Sequence, residues 1–244
     1  EASMRRLGVD LVMPDRVSGC SAGEDTVMVT LESGRVLAVD AVLIAAGRVS
    51  NVGLLDLPKA GIEQGHRGLL EVNDVYQTSV PHIYAAGDVI GFPALASTSM
   101  EQARLAMVDA FELQYKKEVA PILPYGIYTI PEASMAGESE ESMTKQGIDY
   151  VVGRAAYSEN ARGQIIGDHE GFLKLIYRVS DMRLVGVHTV GEIASEIVHI
   201  GLTAMMMEAT NQLFIRTCFN YPTLSELYKY ATYDAMGNLQ RRNS

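Results

Sequence analysis

Two apolar runs in this chain close on the same three residues. Asp40-Ala41-Val42-Leu43-Ile44-Ala45-Ala46-Gly47 ends in Ala-Ala-Gly and is followed by Arg48. The run over residues 78–88 ends in Ile83-Tyr84-Ala85-Ala86-Gly87-Asp88, again Ala-Ala-Gly, forty residues further on. Runs without polar alternation read as strands buried on both faces, which belong to parallel, helix-covered sheets. The carboxyl ends of such strands are where open α/β folds gather ligands, and a terminal glycine lets a ligand approach the backbone. On the residues alone, Asp88 either accepts hydrogen bonds from sugar-like hydroxyls or caps a turn. Gly47 with Arg48 reads, alone, as an ordinary strand-to-loop glycine beside a solvated cation.

The segments around these runs divide the chain. A helix end over residues 4–7 is capped by Gly8, and residues 9–13 read as a short strand. Residues 26–31 alternate apolar and polar, and the turn at 32–35 sends residues 36–39 back as a hairpin. A helix is predicted over residues 97–117, with Met100, Ala103, Met107, Ala110 and Phe111 on its apolar stripe. Pro121 and Pro124 punctuate a boundary. Beyond it, residues 139–146 form a short helix closed by Gly147. Residues 150–157, 172–178 and 183–190 read as antiparallel strands, and helices follow over about 193–209 and 224–239. Thr223-x-x-Glu226 has the form of a capping box opening the last helix. Strands in one block with helices laid on one side give an α+β fold class.

Composition excludes several functions. The 244 residues carry a net charge of −10, which argues against a nucleic-acid partner. No apolar run approaches the roughly 20 residues that cross a bilayer, so no membrane partner is expected. Cys20 and Cys218 form no metal-ligand spacing, and two cysteines in a chain of this length suit the cytoplasm. The five histidines are scattered, so no metal site is expected. No Gly-x-Gly-x-x-Gly occurs, so the chain has no Rossmann-type phosphate turn. It opens on Glu1 rather than Met, as a piece of a longer protein would.

Taken together, the paired motifs resemble the pyridine nucleotide–disulfide oxidoreductase family. In that family the Gly-Asp aspartate, here Asp88 beside Gly87, binds the ribityl chain of FAD. Pro93-Ala94-Leu95-Ala96-Ser97-Thr98-Ser99-Met100-Glu101-Gln102 resembles the following helix start, where backbone N–H groups approach the flavin. The resemblance makes Ala96 and Ser97 the candidates there, and puts Gly47 near a nicotinamide nucleotide. Ile130-Pro131-Glu132 through Gly137, Gly171-Phe172-Leu173-Lys174-Leu175 and Leu184-Val185-Gly186-Val187-His188 follow the order of the family's interface domain. The resemblance implies three parts: residues 1–50 from the end of an NAD-binding domain, 51–120 from an FAD-binding domain, and 121–244 as the antiparallel-sheet-plus-helices dimerisation domain of a homodimer.

Phe219-Asn220-Tyr221-Pro222-Thr223-Leu224-Ser225-Glu226 narrows the branch. The family's dithiol reductases keep a His-Glu pair at the places of Tyr221 and Glu226. A phenol, with an ordinary pKa of about 10, is a poor base near neutral pH. No catalytic residue is therefore assigned. The pattern resembles the family's soluble transhydrogenase branch, which implies hydride transfer between NADPH and NAD+ through FAD, with NAD(P) and FAD as cofactors. Dihydrolipoamide dehydrogenase-like and mercuric reductase-like members stay open, as does a non-catalytic dimerisation module. Lacking both phosphate-binding turns, this chain alone is expected to be inactive.

Overall fold

A computed structural model describes residues 1–244, the side chain of Ala2 excepted. The fold mixes helices with antiparallel sheets, as the α+β reading expects. The front of the chain runs from helix α1 (Ala2–Arg6) through strands β1 (Val17–Ala22), β2 (Val27–Leu31) and β3 (Val36–Val39). These pair antiparallel in the order β1-β2-β3. The β2–β3 hairpin was legible in the alternation of residues 26–31, which sends Val29 and Leu31 inward, each 6% exposed. Strand β1 was not: Val17-Ser18-Gly19-Cys20-Ser21-Ala22 is almost wholly exposed and is held by its backbone pairing to β2.

Three expected strands are corrected. Residues 9–13 and 40–47 form no strand, and of residues 78–88 only Tyr84 makes an isolated bridge, to Gln77 just before them. Leu43 is 91% exposed and Ile44 82%. An apolar run becomes a strand only when a neighbour takes up its N–H and C=O groups. Among the described residues nothing pairs with 40–47. The small core behind residues 51–90 comprises Val52, Leu57, Ile62, Leu70 and Ala85.

Helix α2 (Ala96–Ala110) stops short of the expected residue 117, closing at Phe111 with Glu112 at positive φ. Its orientation is also corrected. The buried face is Thr98, Gln102, Leu105, Ala106 and Val108, while Met100, Met107 and Phe111 of the expected stripe lie exposed.

The back of the chain has its own sheet. Strands β4 (Tyr125–Ile127) and β5 (Ala133–Gly137) lead to helix α3 (Glu140–Gln146), β6 (Tyr150–Ala156), helix α4 (Ala161–Ile166), β7 (Phe172–Arg178) and β8 (Leu184–Val190). Helices α5 (Ala194–Met206), α6 (Gln212–Arg216) and α7 (Leu227–Asn243) complete it. The five-stranded sheet has the order β4-β5-β8-β7-β6 and is antiparallel throughout. Helix α3 forms where expected: Ser139 and Ser142 exchange side-chain and backbone hydrogen bonds at its start, and Gly147 ends it at φ 68°.

Helix α7 packs on β6 and β7, and α5 on β5 and β8. Tyr228 of α7 joins the two helices on one face of the sheet: its Oη accepts from Gly201 N–H at 2.9 Å and donates to Ile197 O at 2.8 Å. Between them lie Tyr157, Leu173, Leu175, Tyr177, Val187 and Phe214, all buried. A buried Leu, Val or Phe contributes about 1.5–3 kcal/mol relative to exposure, so this cluster dominates the stability of the chain. At Gly153 of β6 the packing is closest, because a Cβ there would stand 1.8 Å from Ala231 O and 2.7 Å from Ala235 Cβ.

Candidate functional site

The turn at Gly87 and Asp88 sits against the start of α2. Gly87 is buried with φ 85° and ψ −154°, a conformation essentially confined to glycine. A Cβ there would approach Ser99 Oγ at 3.1 Å. Gly87 N–H donates to Gln102 Oε1 of α2 at 2.8 Å. Asp88, the next residue, opens a single 3-10 turn (Asp88–Ile90) and holds its carboxylate out to solvent.

Helix α2 begins without a side-chain cap. Its first intrahelical bond is Ser99 N–H to Leu95 O at 2.8 Å, so the N–H groups of Ala96, Ser97 and Thr98 have no acceptor in the helix. Ala96 and Ser97 are exposed there. Thr98 is only 2% exposed, and its Oγ1 has no protein partner among the described residues. The beginning of α2 is thus a small array of free donors carrying the positive end of a helix dipole, on the helix that the Gly87 turn packs against.

The two Ala-Ala-Gly motifs meet through their next residues: Arg48 Nη1 donates to Asp88 Oδ2. Arg48 was read from sequence as a solvated cation, and nothing in that reading paired it with Asp88. Both side chains remain open to water, 74% and 43% exposed, so the pair contributes about 0–1 kcal/mol and exchanges readily. Gly47 itself is exposed at φ 118°, with open space around its Cα.

The second group of candidates lies in the back block, without a hydrogen bond to the first among the described residues. Tyr221 is 72% exposed. Glu226 ends the 3-10 turn Leu224–Glu226 and accepts a hydrogen bond from the Tyr230 hydroxyl at 3.3 Å. That negative charge raises the Tyr230 phenol above its ordinary pKa, with Tyr221 and Tyr233 close enough to add to it. The capping box is half formed. Thr223 Oγ1 accepts from Ser225 N–H at 3.3 Å, but Glu226 does not reach back, because its carboxylate is turned one helical turn forward to Tyr230.

Family models match both blocks. The model described as "Pyridine nucleotide-disulphide oxidoreductase" matches residues 1–106, and the dimerisation-domain model of the same family matches residues 123–232. The chain belongs to the pyridine nucleotide–disulphide oxidoreductase family. Among similar members, the soluble pyridine nucleotide transhydrogenase of Mycobacterium bovis (strain BCG / Pasteur 1173P2) is 44% identical over 240 residues, 98% of this chain and 51% of the relative. That of Citrobacter koseri is 40% identical over 228 residues, 92% of this chain and 48% of the relative. The chain spans about half the length of the curated relatives it matches.

Solved members of the family share the fold. LpdA from Mycobacterium tuberculosis superposes with a TM-score of 0.82 at 29% identity, over 96% of this chain and 51% of that one. The HOCl-induced flavoprotein disulfide reductase RclA from Escherichia coli, in its Cu(II) complex, gives 0.88 at 27% identity, over 95% and 53%. No helix is long and apolar enough to cross a membrane, and no three metal-ligating side chains cluster, among the described residues.

Proposed function

We propose that this chain is the half of a soluble transhydrogenase that carries the dimerisation domain, and that the whole protein passes hydride between NADPH and NAD+ through FAD. The observation that carries the reading is one juxtaposition: the glycine-only turn at Gly87, which leads into Asp88, packs against the first turns of α2, whose opening N–H groups are free. Its identity to proteins named soluble pyridine nucleotide transhydrogenase selects the branch. In this reading residues 1–50 complete an NAD-binding domain, 51–120 an FAD-binding domain, and 121–244 join two copies into a homodimer in the cytoplasm, without nucleic acid or membrane as partner.

The residues present fit a flavin. FAD, when bound, supplies the ring that takes hydride from one nicotinamide and gives it to another. Asp88 accepts hydrogen bonds from the ribityl hydroxyls, exchanging its weak pairing with Arg48 for them. Gly87 keeps the backbone low at that point, and Gly47 leaves open space for the nicotinamide nucleotide. Ala96 and Ser97 offer N–H groups at a helix N-terminus, where negative charge is stabilised. Tyr221 fills space at the place where the reductases keep a base, and hydride transfer needs none there.

The test is an assay of the whole protein with NADPH and a thionicotinamide analogue of NAD+, beside lipoamide. Transhydrogenation without lipoamide turnover is expected. Lipoamide turnover at a comparable rate would replace this reading with a dithiol one. The 244-residue chain alone is expected to give no turnover.

A further inference from the structure

Gln102 is an unusual residue to bury. It lies on the inner face of α2 with Thr98, Leu105, Ala106 and Val108 and is only 4% exposed. A primary amide withdrawn from water is unfavourable unless it is hydrogen-bonded. The bond it makes is the one to Gly87: its Oε1 accepts the Gly87 N–H at 2.8 Å. The strand-like lead-in to the turn is tied to Tyr76, whose O accepts from Ala85 N–H at 2.9 Å. The exit is tied to Leu70, whose N–H donates to Val89 O at 2.8 Å. Neither tie reaches α2. Among the described residues, the Gln102 amide is the one hydrogen bond that fastens residues 85–89 to the helix.

We propose that Gln102 is a positioning residue: its side-chain carbonyl holds Gly87 in its glycine-only conformation, and so sets where the Asp88 carboxylate stands relative to the free N–H groups at the start of α2. The inference rests on reading that turn as flavin-facing. A hydrophobic residue of the same length would fill the space and leave the buried Gly87 N–H without an acceptor. The turn would then loosen about its two outer ties, and Asp88 would lose its fixed distance from α2.

Two measurements test this. The first uses the chain as it stands, by amide hydrogen exchange. Gln102→Met is expected to speed exchange at Gly87 by about tenfold, the equivalent of one ordinary buried hydrogen bond, with Leu105 to Val108 unchanged. Gln102→Glu, which keeps an acceptor oxygen, is expected to retain the slow exchange. Faster exchange along the whole of α2 in Gln102→Met, or none at Gly87, would overturn the proposal.

The second measures FAD affinity of the whole protein by flavin fluorescence, with Asp88→Ala as reference. Both Asp88→Ala and Gln102→Met are expected to weaken FAD binding, the latter by about tenfold, with recovery in Gln102→Glu. Weakening by Asp88→Ala but not by Gln102→Met would overturn the positioning role. No weakening by Asp88→Ala would sink the flavin reading of the turn, and the exchange experiment would then judge the Gln102 bond by itself.

Discussion

Residues 40–47 and strand β7 are both stretches rich in large apolar residues, with opposite fates. In β7, Leu173, Leu175 and Tyr177 are 0% exposed, and the strand pairs with β6 on one side and β8 on the other. In the run at 40–47, Leu43 and Ile44 stand almost wholly in water without a pairing strand. The same contrast divides the whole chain. The back block closes on itself with sheet and helices covering one another, whereas the front block's connected buried cluster holds five residues and an apolar helix stripe is left open. Apolar character tells which segments can be buried, but the availability of a neighbour decides which of them are.

The sharpest way to break this comparison is to empty the back core. Phe214 is 2% exposed, with its ring centroid 4.8 Å from that of Tyr228. Phe214→Ala is expected to cost about 3–5 kcal/mol in urea denaturation followed by far-UV circular dichroism. A cost below about 1 kcal/mol would mean that the back block is no better packed than the front.

Alkaline pH should separate the blocks next. Burial pushes the Tyr157 phenol up to about 12 and raises Tyr177 and Tyr228 as well. A phenol whose folded pKa lies above its unfolded value of about 10 contributes stability below that pH, and this is lost as pH rises through the folded value. The back block should therefore weaken from pH 10 to about 12, by about 2–3 kcal/mol for the Tyr157 proton. Phenolate absorbance near 295 nm and circular dichroism should change together. Titration of these tyrosines before any loss of structure would contradict their burial.

Smaller effects belong to the front. Gly87→Ala places a Cβ against Ser99 at positive φ, and a cost of about 1–2 kcal/mol is expected. It should appear as faster proteolysis near residues 85–91, with an unchanged melting temperature for the back block. Ile44→Asp should change stability by no more than about 0.5 kcal/mol and reduce self-association in light scattering. A loss above about 2 kcal/mol would show that this run is covered in solution.

Local pattern made the back block legible. Ser139 and Gly147 marked the ends of α3, and β6, β7 and β8 stood out as runs bounded by turns. Strands β1 and β5 escaped because they are built of small and polar residues and are held by their neighbours; Ser134, for example, pairs with Thr189 of β8. On α2 the methionines and Phe111 suggested the wrong face, because Thr98 and Gln102 looked outward-facing by type. Asp88 and the helix beside it could be picked out from the strand-Gly pattern. Their partners could not, since Arg48 and Gln102 lie 40 and 15 residues from the atoms they bind. Such bonds carry no local periodicity.

The contact of α7 with β6 has a consequence for mutational tolerance. With a carbonyl oxygen 1.8 Å from where any Cβ would begin, position 153 admits no side chain without moving a helix of 17 residues. Ala231 and Ala235 face it at a four-residue interval. Glycine at 153 is thus fixed by backbone atoms, the Ala231 carbonyl and the Ala235 amide, that no change of side chain at those two positions would remove. A sequence that keeps this helix seated on the sheet must therefore keep glycine at 153, whichever small residues stand at 231 and 235.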